Sequence, residues 1–96
     1  MIGRAGEGID IGHGVMIWFA TENGDPDGER VAIVEQHTAP DGSVCSGYAW
    51  FEGHAPMRSY PTWRVASMEP LTLEPSLLCS TCGHHGFIRD GKWVPA

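Results

Sequence analysis

Two cysteines separated by two residues, followed at once by two histidines, constrain the fold of this chain more than any other feature. Cys79 and Cys82 form a C-x-x-C motif, and His84 and His85 come shortly after it. Two thiolates at this spacing can bind one metal ion across a tight turn, and Gly83 lets the backbone fold beneath the ion. The stretch is therefore predicted to form a metal-binding turn of the zinc-knuckle type.

The residues after the histidines predict a β-hairpin. Phe87–Arg89 and Lys92–Val94 flank the dipeptide Asp90-Gly91. Asp-Gly is favoured at the centre of a type I′ turn, where both residues need a positive φ. The metal-binding turn is thus predicted to lead directly into a hairpin.

A third metal ligand is expected from the histidine pair. Neighbouring side chains on a strand point to opposite faces, so only one of the two histidines should bind the ion. We favour His85, three residues beyond Cys82, over His84. The alternatives for the C-x-x-C motif are a redox dithiol and two unrelated buried thiols. Redox motifs of the thioredoxin type accompany a βαβ pattern, whereas this one precedes a hairpin, so a metal is favoured, zinc above iron.

The fourth ligand must come from a distant part of the chain if the site is closed. Cys45, His54 and His37 are the candidates. Cys45 and His54 flank a predicted strand, and a thiolate is the more zinc-selective ligand. A lone cysteine is often only a small buried hydrophobic residue, however. The fourth position stays open between these residues and water.

The remaining sequence predicts a small single domain, mainly β, built as an antiparallel sheet. Apolar or alternating runs predict four strands: Val15–Ala20, Arg30–Gln36, Gly47–Glu52 and Thr62–Met68. We expect the first two to pair as a hairpin over an acidic loop.

Two further segments have less regular patterns. Residues 1–14 contain five glycines and little hydrophobic periodicity, which predicts a flexible N-terminal arm and leaves 15–96 as the domain. Leu71–Pro75 is expected to be extended, because Pro75 disfavours helix at the residue before it. Ser76–Leu78 is expected to form one helical turn.

The charge of the chain bears on its partners and location. Twelve acidic residues against six basic ones give a net charge of −6. Nucleic-acid binders rely on a basic face, so this balance argues against a nucleic-acid partner. No apolar segment has the features of a signal peptide or the roughly 20-residue length of a membrane helix, so a cytoplasmic protein without membrane contact is expected.

The C-terminal third also contains a specific pattern, L-T-L-x-P-S-L-L-C-x-x-C-G-x-H-G-F-I-R-D-G-K-W, with Trp63 upstream of it. It resembles a family of short proteins of bacteriophages and bacteria that is catalogued as a domain of unknown function. In that family the histidine three residues after the second cysteine recurs. It corresponds to His85, whereas His84 falls at a variable position. The resemblance implies metal binding and a phage or bacterial source, hence the host cytoplasm if phage-encoded. It leaves the fourth ligand open.

The favoured functional interpretation is a non-enzymatic interaction module with a structural zinc site. A chain of 96 residues buries only a thin core, and small domains often need a metal as an additional staple. Aromatic side chains are common anchors for protein partners. Five are candidates here: Tyr48, Trp50, Tyr60, Trp63 and Trp93.

Two alternatives follow from the same motif. The first is a metal-dependent hydrolase with an open Cys2His zinc site, in which a carboxylate would act as general base. Its candidate bases are Asp90, Glu74 and Glu52, and no catalytic residue is assigned. The second is a nucleic-acid-binding zinc ribbon that uses Arg58, Arg64, Arg89 and Lys92. The sequence leans away from an enzyme and predicts no oligomeric state.

Overall fold

The computed structural model describes residues 1–96. It contains nine β-strands and no helix. The strands are β1 (Ile2–Gly12), β2 (Val15–Glu22), β3 (Ala32–Thr38), β4 (Val44–Phe51), β5 (Thr62–Met68), β6 (Leu71–Glu74), β7 (Leu77–Leu78), β8 (His85–Arg89) and β9 (Lys92–Pro95). One sheet contains β1 to β6 in chain order, and a second contains β7 to β9. The predicted mainly β fold is confirmed. No segment forms a helix that could cross a lipid bilayer.

β2 and β3 form the hairpin that their apolar residues predict. They pair antiparallel, from Met16 opposite Gln36 to Ala20 opposite Ala32. On β2, alternate residues from Val15 onward are buried, as expected when one face of a sheet covers the core. The hydrophobic run therefore sets both the strand and the face it buries.

The N-terminal segment is a strand rather than the expected flexible arm. β1 pairs antiparallel with β2 from Ile2 opposite Glu22 to Gly12 opposite Val15, with a bulge between Ala5 and Ile9. Most of its side chains are exposed, and only Ile11 is buried. Its pairing rests on backbone hydrogen bonds, which leave no hydrophobic pattern in the sequence.

One strand pair departs from the predicted antiparallel sheet. β4 and β5 run parallel and are paired only where Trp50 lies opposite Thr62 and Phe51 opposite Trp63. The segment 52–61 makes the connection, since parallel neighbours need a crossover rather than a tight hairpin. β5 then pairs antiparallel with β6.

The C-terminal hairpin is confirmed. β8 and β9 pair antiparallel from Gly86 opposite Pro95 to Arg89 opposite Lys92. Asp90 and Gly91 have φ angles of 51° and 73°, as a type I′ turn requires. The helical turn expected at Ser76–Leu78 is absent: Leu77 and Leu78 form β7, because they pair with β8 in an antiparallel ladder.

The main hydrophobic core combines residues from both sheets. Its twelve members are Ile11, Val15, Ile17, Phe19, Ile33, Ala49, Phe51, Leu71, Leu73, Leu77, Ile88 and Trp93. The turn of the C-terminal hairpin is also joined to β6, because the Gly91 N–H donates to the Leu71 carbonyl at 2.8 Å and the Asp90 N–H to Thr72 Oγ1 at 2.9 Å. The smaller sheet is thus fixed against the larger one at its turn end.

Candidate metal centre

Four side chains from distant parts of the chain converge at the other end of the smaller sheet. They are His37 on β3, Cys45 on β4, and Cys79 and Cys82 in the turn between β7 and β8. Their ligand atoms all lie within 4.8 Å of one another. The site therefore joins the larger sheet to the smaller one.

The register of β3 and β4 brings His37 and Cys45 together. These two residues lie directly opposite each other in the antiparallel ladder. Directly opposed residues place their Cβ atoms about 5 Å apart on the same face of a sheet. That face covers the core, because Ile33 and Ala49, another opposed pair on the same face, are both core residues.

The C-x-x-C turn presents the other two thiols. The Cys79 N–H donates to the His84 carbonyl, and the Gly83 N–H donates to the Cys79 carbonyl, both at 2.8 Å. Gly83 has a φ of 80°, a conformation that a glycine adopts without steric cost. Hydrogen bonds from the backbone N–H groups of Cys82 and Thr81 lower the pKa of Cys79 to about 7. The turn thus favours a thiolate at Cys79, the form that binds metal.

Glu35 orients His37. The ring of His37 is only 5% exposed, and its Nδ1 lies 2.7 Å from Glu35 Oε1, while Nε2 lies 3.2 Å from Cys82 Sγ. A proton on Nδ1 donated to the carboxylate leaves the lone pair of Nε2 directed at the thiols. This carboxylate–histidine arrangement commonly fixes the tautomer of a metal-binding histidine.

Burial and close neighbours shift the protonation of these groups. Burial lowers the pKa of His37, but Cys82 and Glu35 outweigh it and raise the pKa above its ordinary value. Burial also raises the pKa of Glu35, although His37 opposes this shift. The pKa of Cys45 is raised to about 11 by burial and by the adjacent Cys79 and Cys82 thiols. Crowded thiols of this kind lose their protons when they bind a cation.

The donor set fits zinc. Three sulfurs and one imidazole nitrogen form a Cys3His set, one of the compositions of structural zinc sites. Bonds of about 2.0–2.3 Å in a tetrahedron place neighbouring donors roughly 3.5–3.8 Å apart. Donors that already lie within 4.8 Å need only small side-chain movements to reach that geometry.

His84 supports the site without joining the four donors. Its ring stacks on His37, with ring centres 4.1 Å apart, and on Trp93, with centres 4.8 Å apart. Burial and the neighbouring His37 lower the pKa of His84, which favours a neutral ring. His84 also forms a second group of possible metal ligands with Glu35 and His37.

The predicted ligands fall into two groups in the structure. Cys79, Cys82 and Cys45 come together, and His37, one of the fourth-ligand candidates, completes the cluster. His85 does not join them: it is exposed, and its Nε2 lies 2.8 Å from Ser76 Oγ. His54 lines a different cleft with Arg30 and Arg64.

The position of His85 has a simple cause. His85 begins β8 opposite Leu78, and both are exposed, so this pair lies on the outer side of the smaller sheet. The preceding residue, His84, consequently points inward. The signal that could have identified His37 is the alternation on β3, which puts it on the same face as the buried Ile33.

The candidate general bases and the basic residues considered for the two alternative functions lie outside the cluster. Of the candidate bases, Asp90 is in the hairpin turn and Glu74 pairs with Arg64 at 2.5 Å. Glu52 follows the end of β4 and lines the cleft that contains His54. Among the basic residues, Arg89 lies over the ring of Phe87.

Comparison of the chain with protein-family models, with curated proteins and with solved structures found no match.

Proposed function

We propose that this chain is a small zinc-binding protein in which His37, Cys45, Cys79 and Cys82 hold one structural ion, and that it acts as a non-enzymatic interaction module. The observation that carries the proposal is the convergence of four donor atoms, from β3, β4 and the β7–β8 turn, within 4.8 Å. An ion bound there cross-links two sheets that otherwise share a thin core. The free energy of binding then becomes free energy of folding.

The number of donors supports a structural role over a catalytic one. Catalytic zinc sites have three protein ligands and keep one position for water or substrate. A Cys3His set fills all four tetrahedral positions with protein. The open Cys2His hydrolase site considered from the sequence needs His85, which instead lies beside Ser76 on the surface.

The ligand types support zinc as the ion. Thiolates are soft ligands that favour zinc, copper(I) or iron–sulfur clusters, and a mixed sulfur and nitrogen tetrahedron is typical of zinc. A site with three thiolates also requires reduced cysteines, which a cytoplasm maintains. Together with the resemblance of the C-terminal motif to a phage and bacterial family, this supports a bacterial or phage protein that acts in the bacterial cytoplasm.

The proposal is tested by measuring metal content and coordination. Purified protein should contain one zinc ion per chain by native mass spectrometry. Replacement by cobalt(II) should give the intense visible absorption of a tetrahedral site and a strong sulfur-to-cobalt charge-transfer band. A protein that is fully folded without metal and takes up no cobalt contradicts the proposal.

A further inference from the structure

A cleft of about 430 Å³ lies next to the candidate metal centre, between the first part of β4 and β7. Residues 43–49 form one wall, and Leu77, Leu78 and the C-x-x-C turn form the other. The exposed Leu78 contributes to the second wall, with 64% of its surface accessible. The two walls are therefore the borders of two different sheets.

The β4 wall is an unpaired strand edge. β5 pairs with β4 only at Trp50 and Phe51, so the residues before them have β3 as their single neighbour. The Ala39 N–H donates to the Ser43 carbonyl, and the Phe51 N–H donates to the Val31 carbonyl. These two bonds fix the alternation of the ladder, in which odd-numbered residues of β4 bond to β3.

The even-numbered residues of β4 consequently direct their backbone groups into the cleft. They are Val44, Ser46 and Tyr48, and none of them makes a backbone hydrogen bond outside the strand ladders. The β7 wall follows the same rule. Since the Cys79 N–H bonds to His84, the N–H and carbonyl of Leu78 point away from β8. Both walls thus offer backbone donors and acceptors.

The edges of β1 and β9 carry protective features that the free edge of β4 lacks. Exposed edges are commonly shielded by bulges, charged residues or proline. β1 has a bulge and the charged residues Glu7 and Asp10, and β9 contains Lys92 and Pro95. The cleft edge of β4 has valine, serine and tyrosine, residues that fit β-structure and do not oppose pairing.

We propose that the cleft binds an extended, cationic segment of a partner polypeptide, which adds as a strand to the free edge of β4. Strand addition of this kind gains affinity from main-chain hydrogen bonds and specificity from pockets for alternate side chains. The cleft provides such a surface, because Trp63, Leu77 and Trp93 line it on the inner face. Trp63 also connects β5 to the segment before β7, since its Nε1–H donates to the Ser76 carbonyl at 3.1 Å.

The charge of the cleft selects a cationic segment. No lysine or arginine lines it, while Glu35 and the thiols Cys45 and Cys79 do. Three thiolates, a neutral histidine and one divalent ion leave the centre with a formal charge of −1. Lysine or arginine side chains of a bound strand lie within a Debye length of about 8–10 Å of this charge.

The inference rests on the proposed zinc site. Cys45 belongs to the β4 wall, and Cys79 to the β7 wall, so a bound ion fixes the two walls relative to each other. Loss of the ion therefore should abolish binding of the segment.

The test uses the full-length zinc-loaded protein and a capped peptide of alternating valine and lysine as the probe. Amide hydrogen exchange followed by NMR should show new protection at Val44, Ser46 and Tyr48 when the peptide is added. The amides of Cys45 and Gly47, which already bond to β3, should change little. The matched peptide of valine and glutamate should bind at least about tenfold more weakly. Added salt should weaken the binding of the lysine peptide.

Two substitutions at one position separate the backbone from the side chain. Ser46→Pro removes the N–H that faces the cleft, at an edge position where proline is tolerated, and should weaken peptide binding about tenfold. Ser46→Ala keeps that N–H and should bind as the unmodified protein does. Zinc content is measured for both variants.

Three results overturn the proposal: no new protection at the even-numbered amides, protection confined to another surface, or a free protein that already dimerises through β4. If these occur while each chain still holds one zinc, the zinc proposal stands and only the cleft proposal fails. If the protein holds no zinc, the proposed function fails first.

Discussion

Nine of the twelve residues in the main core belong to the β1–β6 sheet, whereas the β7–β9 sheet contributes only Leu77, Ile88 and Trp93. The strands of the smaller sheet are two, five and four residues long. Because β7 has only two residues, this sheet is little more than a two-stranded hairpin, which is marginally stable on its own in water. The larger sheet therefore supplies most of the core, while the smaller one depends more on its attachments.

The smaller sheet has one attachment at each end. At the hairpin turn, Gly91 bonds to Leu71 of β6. At the opposite end, Cys79 and Cys82 meet His37 and Cys45 of the larger sheet. A metal ion at that end should therefore stabilise the smaller sheet more than the larger one.

Metal removal should have the largest effect. A structural zinc ion supplies binding free energy on the order of 10 kcal/mol, which is similar to the whole stability of a small domain. After chelation, we expect the melting temperature to fall strongly and the amides of Phe87 and Val94, which form a hydrogen-bonded pair of the hairpin, to lose exchange protection before those of Ile17 and Ile33. Equal loss of exchange protection in both sheets, or an unchanged melting curve, would contradict a greater dependence of the smaller sheet on the ion.

The next largest effect should come from substituting His37, and His85 is the comparison. His37→Ala removes a proposed ligand and should weaken zinc binding more than about 100-fold, beyond the usual effect of an outer-shell partner. His85→Ala removes an exposed ring and its bond to Ser76, and should change the zinc affinity by less than about threefold. Competition with a chromogenic chelator measures both. The opposite ranking restores the ligand set expected from the sequence.

Glu35→Gln tests how the larger sheet orients its ligand. Glutamine still accepts a hydrogen bond from His37 Nδ1 but has no charge, so zinc affinity should fall about tenfold. The same chelator competition serves as the measurement, and an unchanged affinity means that Glu35 does not position His37.

The attachment at the hairpin turn should show the smallest effect. Gly91 has a φ of 73°, so Gly91→Ala should cost about 1 kcal/mol of unfolding free energy in urea titrations. Gly47→Ala is the control, because its φ is ordinary and no atom lies within 4 Å of the added Cβ. If both variants lose the same stability, the positive φ of the turn is not the cause.

The local parts of the fold were predictable from the sequence. Asp90-Gly91 specifies its turn through φ preferences alone, and the apolar run that begins at Val15 specifies β2. β1 was not predictable, because its side chains are mostly exposed and its pairing uses backbone groups that every sequence has. The parallel pairing of β4 with β5 likewise depends on a long connection without a pattern of its own.

The site was predictable only where its ligands are close in sequence. The spacing of Cys79 and Cys82 indicates a chelating turn without further information. His37 and Cys45 meet because of the register of β3 and β4, a long-range property that local spacing does not contain. The prediction for His85 required its side chain to point inward at the start of β8. In the structure this side chain is exposed, and that of His84 points inward.

X-ray absorption at the zinc edge distinguishes a closed Cys3His site from an open one. We expect three sulfur ligands at about 2.3 Å and one nitrogen ligand at about 2.0–2.1 Å, with no bound water. In His37→Ala the nitrogen signal should be lost, while in His85→Ala it should persist. Two sulfurs with an oxygen ligand in the unmodified protein would contradict the closed site and restore the open, catalytic one.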